Sequence, residues 1–125
     1  MQSGVQVLNE IAGGGPTIER HRFYRFKLRI WLSRGEPVRW TARLGATGNA
    51  EIADDGCTLI TDLRVDRVFL LAGLFYGIQG MQVGGTRTLR IAPHLAYREA
   101  GVPGVIPPNA LLTVEVTVLS ESPAA

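Results

Sequence analysis

The sequence predicts an α+β fold: an antiparallel sheet of about five strands with one short buried helix. Three observations carry that reading. Arg22–Leu32 and Leu112–Leu119 alternate apolar and polar side chains, the period-two pattern of half-buried strands. Val68–Met81 is apolar on every side, with Phe69, Leu70, Leu71, Leu74, Phe75, Ile78 and Met81 leaving little room for a polar face. A helix of that composition must be buried.

The elements follow in chain order. Gly4–Val7 begins a short alternating strand, and Gly13-Gly14-Gly15-Pro16 forms a turn. In Arg22–Leu32, Tyr24, Phe26, Leu28, Ile30 and Leu32 share one face, while Phe23, Arg25, Lys27, Arg29 and Trp31 share the other. Arg34-Gly35-Glu36-Pro37 turns the chain, and Val38–Thr41 resumes an extended run. Gly45–Gly56 is rich in turn formers (Gly45, Gly48, Asn49, Asp54, Asp55, Gly56) and reads as a surface loop. Thr58–Asp66 carries Leu59, Thr61, Leu63 and Val65 on one side and supplies the strand before the helix. Gly84-Gly85 closes the helical block, because glycine takes positive φ without steric cost. Thr86–Ile91 alternates as a strand; Pro93–Ala110, with four prolines and two glycines, is a long loop. Leu112, Val114, Val116 and Val118 then face inward along the last strand.

Composition narrows the function classes. A chain of 125 residues with 46% hydrophobic and 19% charged residues is expected to form one domain with a proper core. Its single cysteine, Cys57, cannot form an internal disulfide and suits a reducing, cytoplasmic setting. The opening MQSGVQVLNE has neither a basic nor an apolar leader segment, so no signal peptide is expected, and no apolar run suggests a membrane span. His21, His94 and Cys57 lack metal-ligand spacing, and the glycines at 77, 80, 84 and 85 precede no Lys-Ser/Thr, so neither a metal site nor a phosphate loop is expected. No cofactor is implied. Eight of the thirteen basic residues fall within Arg20–Arg43 against one acid, Glu36. Arg25, Lys27 and Arg29 could therefore meet a nucleic acid or other polyanion, but a solvated sheet face is the favoured reading.

Motifs in the second half resemble the FKBP-type peptidyl-prolyl isomerases. Leu70-Leu71-Ala72-Gly73-Leu74 resembles the opening of that family's helix, where two aliphatics precede x-Gly-Trp/Leu. Gly80-Met81-Gln82-Val83-Gly84-Gly85 resembles its Met-x-x-Gly turn, and Leu89–Pro93 its next strand. The most diagnostic run is Ala96-Tyr97 followed by Gly101, Gly104 and Ile106-Pro107-Pro108-Asn109-Ala110. The resemblance implies a sheet wrapped around the helix, with Gly45–Gly56 an insertion relative to the shortest members.

It also implies a chemistry that needs no nucleophile and no cofactor. The barrier to rotating an Xaa-Pro bond, roughly 18–20 kcal/mol, is amide resonance. A catalyst must hold the twisted imide better than the planar one. By resemblance, Leu70 and Leu71 form one wall of the substrate pocket and Leu74 its floor. The Tyr97 hydroxyl and the Ile106 backbone N–H are the catalytic hydrogen-bond donors. Val105 and Val114 line the rim and back. Matching Gly35 to the family's turn glycine puts Leu28 at the pocket Tyr position, Val38 at the Phe and Arg39 at the Asp, with Trp31 or Trp40 as substitute aromatic walls. The implied ligands are proline-containing peptides or unfolded proteins, and rapamycin-like macrolides. The alternatives are a non-catalytic protein-binding module and, less expected, the polyanion surface.

Overall fold

The computed structural model describes residues 4–41, 50–67 and 70–122. Six strands form one antiparallel sheet: β1 (Val5–Ile11), β2 (Phe23–Leu32), β3 (Glu51–Ile52), β4 (Leu59–Arg64), β5 (Thr86–Ile91) and β6 (Leu112–Glu121). Their order across the sheet is β1-β5-β6-β2-β4-β3. One helix, α1 (Ala72–Gly77), and a 3₁₀ turn at Pro93–Leu95 complete the described elements.

The long central strands obey the alternation read from the sequence. Tyr24, Phe26, Leu28 and Ile30 of β2 and Leu112, Val114, Val116 and Val118 of β6 are buried, and the two strands pair with Leu28 opposite Val116 and Ile30 opposite Val114. α1 packs on the same face through Gly73, Leu74, Phe75 and Gly77. The glycines set that distance: a methyl group at Gly73 would overlap Ile91 Cγ2, and one at Gly77 would overlap Leu89 Cδ1. At the far end of the helix, Arg87 of β5 donates to Gly77 O at 3.0 Å, to Gln79 O at 2.6 Å and to the Glu10 carboxylate of β1 at 2.7 Å. The last helical carbonyl, Gly77 O, and that of the following turn thus gain the cationic partner that a helix C-terminus favours.

Three expectations need correction. The helix spans Ala72–Gly77 and not Val68–Met81; Val68 and Phe69 lie outside the described residues. Leu71 is still extended (φ −55°, ψ 149°), and Gly80, with φ +82°, turns the chain before Gly84-Gly85 is reached. The block is apolar throughout because its non-helical ends are buried as well: Leu70 is 4% and Met81 1% exposed.

The stretch read as a surface loop holds a strand. Glu51 and Ile52 pair with Ile60 and Leu59 to make the sixth strand at the sheet edge, while residues 42–49 lie outside the described residues. After that strand, the Asp55 carboxylate accepts from Cys57 N at 2.8 Å, Thr58 N at 3.0 Å and Thr58 Oγ1 at 3.0 Å. Val38–Thr41 adds no strand. Trp31 bridges to Pro37, and Val38 N donates to Ile30 O at 2.8 Å, so this segment folds back across the end of β2.

The basic face of β2 is largely neutralised. Arg25 lies 3.3 Å from Glu51 and 3.2 Å from Asp62, and Arg29 is 4.0 Å from Asp55 and 4.8 Å from the Trp31 ring centre. Lys27 has no carboxylate in ion-pair reach among the described residues. No helix among the described residues is long and apolar enough to cross a membrane.

Candidate functional site

Between the start of α1 and the inward face of the sheet lies a cavity of about 140 Å³. The strands build it by their period of two. Leu28 and Ile30 come from β2, Leu59, Thr61 and Leu63 from β4, Ile91 from β5 and Val114 from β6. The opposite wall is Leu70, Leu71 and Leu74, and Trp40 and Tyr97 close the sides.

Each wall is fixed by its own backbone chemistry. Leu70 N donates to Asp66 O at 3.1 Å, and Arg67 donates back to Leu70 O at 2.7 Å, so the approach to the helix is clamped. Trp40 is 8% exposed; its indole N–H donates to Cys57 O at 3.0 Å and its backbone N–H to Gly56 O at 2.9 Å. Asp55, by holding the turn at Cys57 and Thr58, fixes the carbonyl that orients this ring. Those hydrogen bonds hold the Asp55 carboxyl below its ordinary value.

Tyr97 follows the 3₁₀ turn and is half-buried. Burial pushes its phenol above the ordinary value of 10.0, so it is a protonated donor at neutral pH. Its hydroxyl has no hydrogen-bond partner among the described residues, and neither does the Leu71 backbone N–H. The site is therefore a hydrocarbon cavity with a few free hydrogen-bonding groups at its wall. An apolar cavity of about 150 Å³ holds a benzene-sized ring, so a five-membered prolyl ring fits this one.

Six of the residues singled out from the sequence meet here: Leu28, Leu70, Leu71, Leu74, Tyr97 and Val114. Three do not. Ile106 is 2% exposed and its N–H is spent within its own turn, donating to Val102 O at 2.8 Å. Val102 and Ile106 bridge each other, and Gly104 at the tip has φ +76°. The residue types of this turn do not reveal that its amide is used internally. Val105 and Val38 line an adjoining groove with Arg39, whose exposed guanidinium lies over Gly56 and donates to Asp55 O at 3.4 Å. Of the two substitute aromatic walls, Trp40 lines the cavity. Trp31 is on the outer face under Arg29. The sequence reading missed Ile30, Leu59, Thr61, Leu63 and Ile91. Extending the alternation of β2 and β4 by one position on the inward face would have found Ile30, Leu59, Thr61 and Leu63. Among the described residues, no group of three or more His, Cys, Asp or Glu side chains stands together to hold a metal ion.

The sheet packs over one short helix with an apolar cavity at the helix start, and comparison with known proteins places that arrangement in a family. The family model for FKBP-type peptidyl-prolyl cis-trans isomerases matches residues 53–119, a stretch that supplies β4, α1, β5 and most of β6. The chain belongs to that family. The peptidyl-prolyl cis-trans isomerase FPR2 of Saccharomyces cerevisiae is 44% identical over 70 residues, covering 56% of this chain and 50% of that protein. The crystal structure of FkpA from Escherichia coli superposes with a TM-score of 0.68 at 29% identity, over 97% of this chain and 48% of that one. The N-terminal domain of FKBP42 from Arabidopsis thaliana shares the fold, with a TM-score of 0.68 at 21% identity over 98% of this chain and 89% of that one. The chain spans half or less of the length of the curated relatives it matches.

Proposed function

We propose that this chain catalyses cis–trans isomerisation of Xaa-Pro bonds in peptides or unfolded proteins. The observation that carries the reading is the cavity itself: hydrocarbon walls from Leu28, Leu70, Leu71, Leu74 and Val114, with the Tyr97 hydroxyl, unpartnered among the described residues, at the edge. Planar amide resonance separates charge, and that separation is lost as the bond twists. A site that strips water from the imide therefore disfavours the planar form more than the twisted one. Tyr97 donates to a carbonyl of the bound chain, and the Leu71 N–H is a second donor at the same wall. No acid, base or metal is required, because no covalent bond is broken.

Family membership and the name of the yeast relative support an isomerase; the names of other relatives, such as FK506-binding protein 2 of Candida glabrata, support macrolide binding in the same cavity. The test is catalysis of a cis-enriched proline tetrapeptide together with amide-shift mapping on titration with FK506 or rapamycin. Acceleration, with shifts at Leu70, Leu71, Leu74 and Tyr97, is the expected result. Shifts confined to the Arg25–Arg29 face would overturn the reading. Binding without acceleration would favour a protein-binding module instead. Arg39, which the resemblance sets at the family's Asp position, stands outside the cavity on the Asp55 carbonyl, and no carboxylate lines the cavity among the described residues, which would favour that second outcome.

A further inference from the structure

A slot for a prolyl ring needs hydrocarbon, and besides Trp40 and Tyr97 one lining residue departs from that. Thr61 lies on β4 between Leu59 and Leu63, all three on the inward face, while Asp62 between them turns outward to Arg25. A β-branched residue suits a strand, but valine would fill the same volume without a polar atom. The Thr61 hydroxyl has no hydrogen-bond partner among the described residues, and it is not among the sealed-off polar atoms of the interior. The indole N–H of Trp40 is already given to Cys57. Thr61 and Tyr97 thus each bring to the lining a hydroxyl with no partner among the described residues.

They come from different sides. Tyr97 follows β5, and β5 is separated from β4 by β6 and β2 in the strand order. Three inter-strand steps amount to about 14 Å between backbones. Side chains reaching inward shorten that gap, and three extended residues span about 10 Å. A ring bound between the hydroxyls therefore has peptide backbone running towards each. A ligand that displaces water from Thr61 without replacing its hydrogen bond loses affinity. Threonine can donate to a carbonyl or accept from the N–H that follows the proline; proline itself has no N–H to offer.

We propose that Thr61 is a second substrate-contacting group, hydrogen-bonded to the peptide backbone on the opposite side of the prolyl ring from Tyr97. The proposal rests on the prolyl-binding reading above and makes the cavity specific for proline flanked by backbone on both sides. The test measures affinity of the full chain for a capped Ala-Leu-Pro-Phe peptide by NMR titration. Thr61→Val should weaken binding about fivefold, the effect of one neutral hydrogen bond, with thermal stability unchanged or higher. Thr61→Ser should restore most of it. Combined with Tyr97→Phe, the losses should multiply, as expected for groups that contact separate parts of one ligand. Wild-type affinity in Thr61→Val, or a loss that Thr61→Ser fails to recover, overturns the proposal while leaving the prolyl-binding reading intact. A wild-type chain that binds no prolyl peptide overturns both.

Discussion

Gly73→Ala sets two well-known effects against each other at the cavity wall. In a free helix the substitution favours folding by about 1 kcal/mol, because alanine loses less backbone entropy than glycine. Here the added methyl would overlap Ile91 Cγ2 and lie 3.2 Å from Ile91 Cδ1 and 3.0 Å from Leu95 O. Ile91 has no exposed surface and is held between Val5 and Leu112 in the sheet, so it has nowhere to move. Overpacking of this kind costs about 1–3 kcal/mol. Set against the propensity gain, the net loss is about 0–2 kcal/mol, or up to roughly 8 °C in Tm for a domain of this size. Urea and thermal unfolding measure it directly. Because α1 must shift away from Ile91, prolyl-peptide affinity should fall at temperatures where the variant is fully folded. Gly14→Ala, where a methyl meets nothing within 4 Å, is the control and should be neutral or slightly stabilising. A Gly73→Ala protein more stable than wild type would show that the helix does not pack on Ile91 as described.

Tyr97→Phe removes a hydroxyl with no partner in the described fold, so stability should hold within about 0.5 kcal/mol while peptide binding weakens by about 0.5–1.5 kcal/mol; equal losses in both would assign the hydroxyl to the fold instead. Peptide binding should change the fluorescence of Trp40 and not of Trp31, so Trp31→Phe should keep the signal and Trp40→Phe should lose it. The Asp55 carboxyl is held below its unfolded value near 3.8 by Cys57 and Thr58, so its contribution to stability is present above that value and is lost as pH falls through the lower folded value. Urea midpoints measured from pH 5 downward should therefore fall less steeply in Asp55→Asn than in wild type.

How much could be read from the chain depended on the kind of signal each part carries. β2, β5 and β6 were legible because a strand with one buried face must alternate, and Tyr24–Ile30 and Leu112–Val118 do so without a break. β3 was not, since two residues have no period and Glu51–Ile52 sit among turn formers. The helix was legible in existence but not in extent, because burial makes Leu70 and Met81, outside the helix, as apolar as the helical residues. The helix-start wall, Leu70–Leu74, and Tyr97 were found through the family motifs. Val38 lies in the adjoining groove, while Trp40, one of the two substitute aromatic walls, reaches the cavity because the backbone folds back after Trp31. The spent amide of Ile106 depends on turn geometry, which residue types do not encode.

The Arg87 clamp makes α1 a lever held at one end. Gly77 and Gln79 are pinned through one guanidinium to two strands, whereas Leu71 at the other end has no side-chain cap and the first turn carries no acid. Local opening therefore costs least at the end that forms the cavity wall. Leu70 keeps its own hydrogen bonds to Asp66 and Arg67, so the gradient runs from Leu71 to Gly77. Hydrogen exchange should record this gradient: the amide of Phe75, bonded to Leu71 O, should exchange through a smaller opening than that of Met81, bonded to Ile78 O beyond the clamp. Replacing Arg87 by leucine should bring the two rates together, because the hinge loses its fixed end.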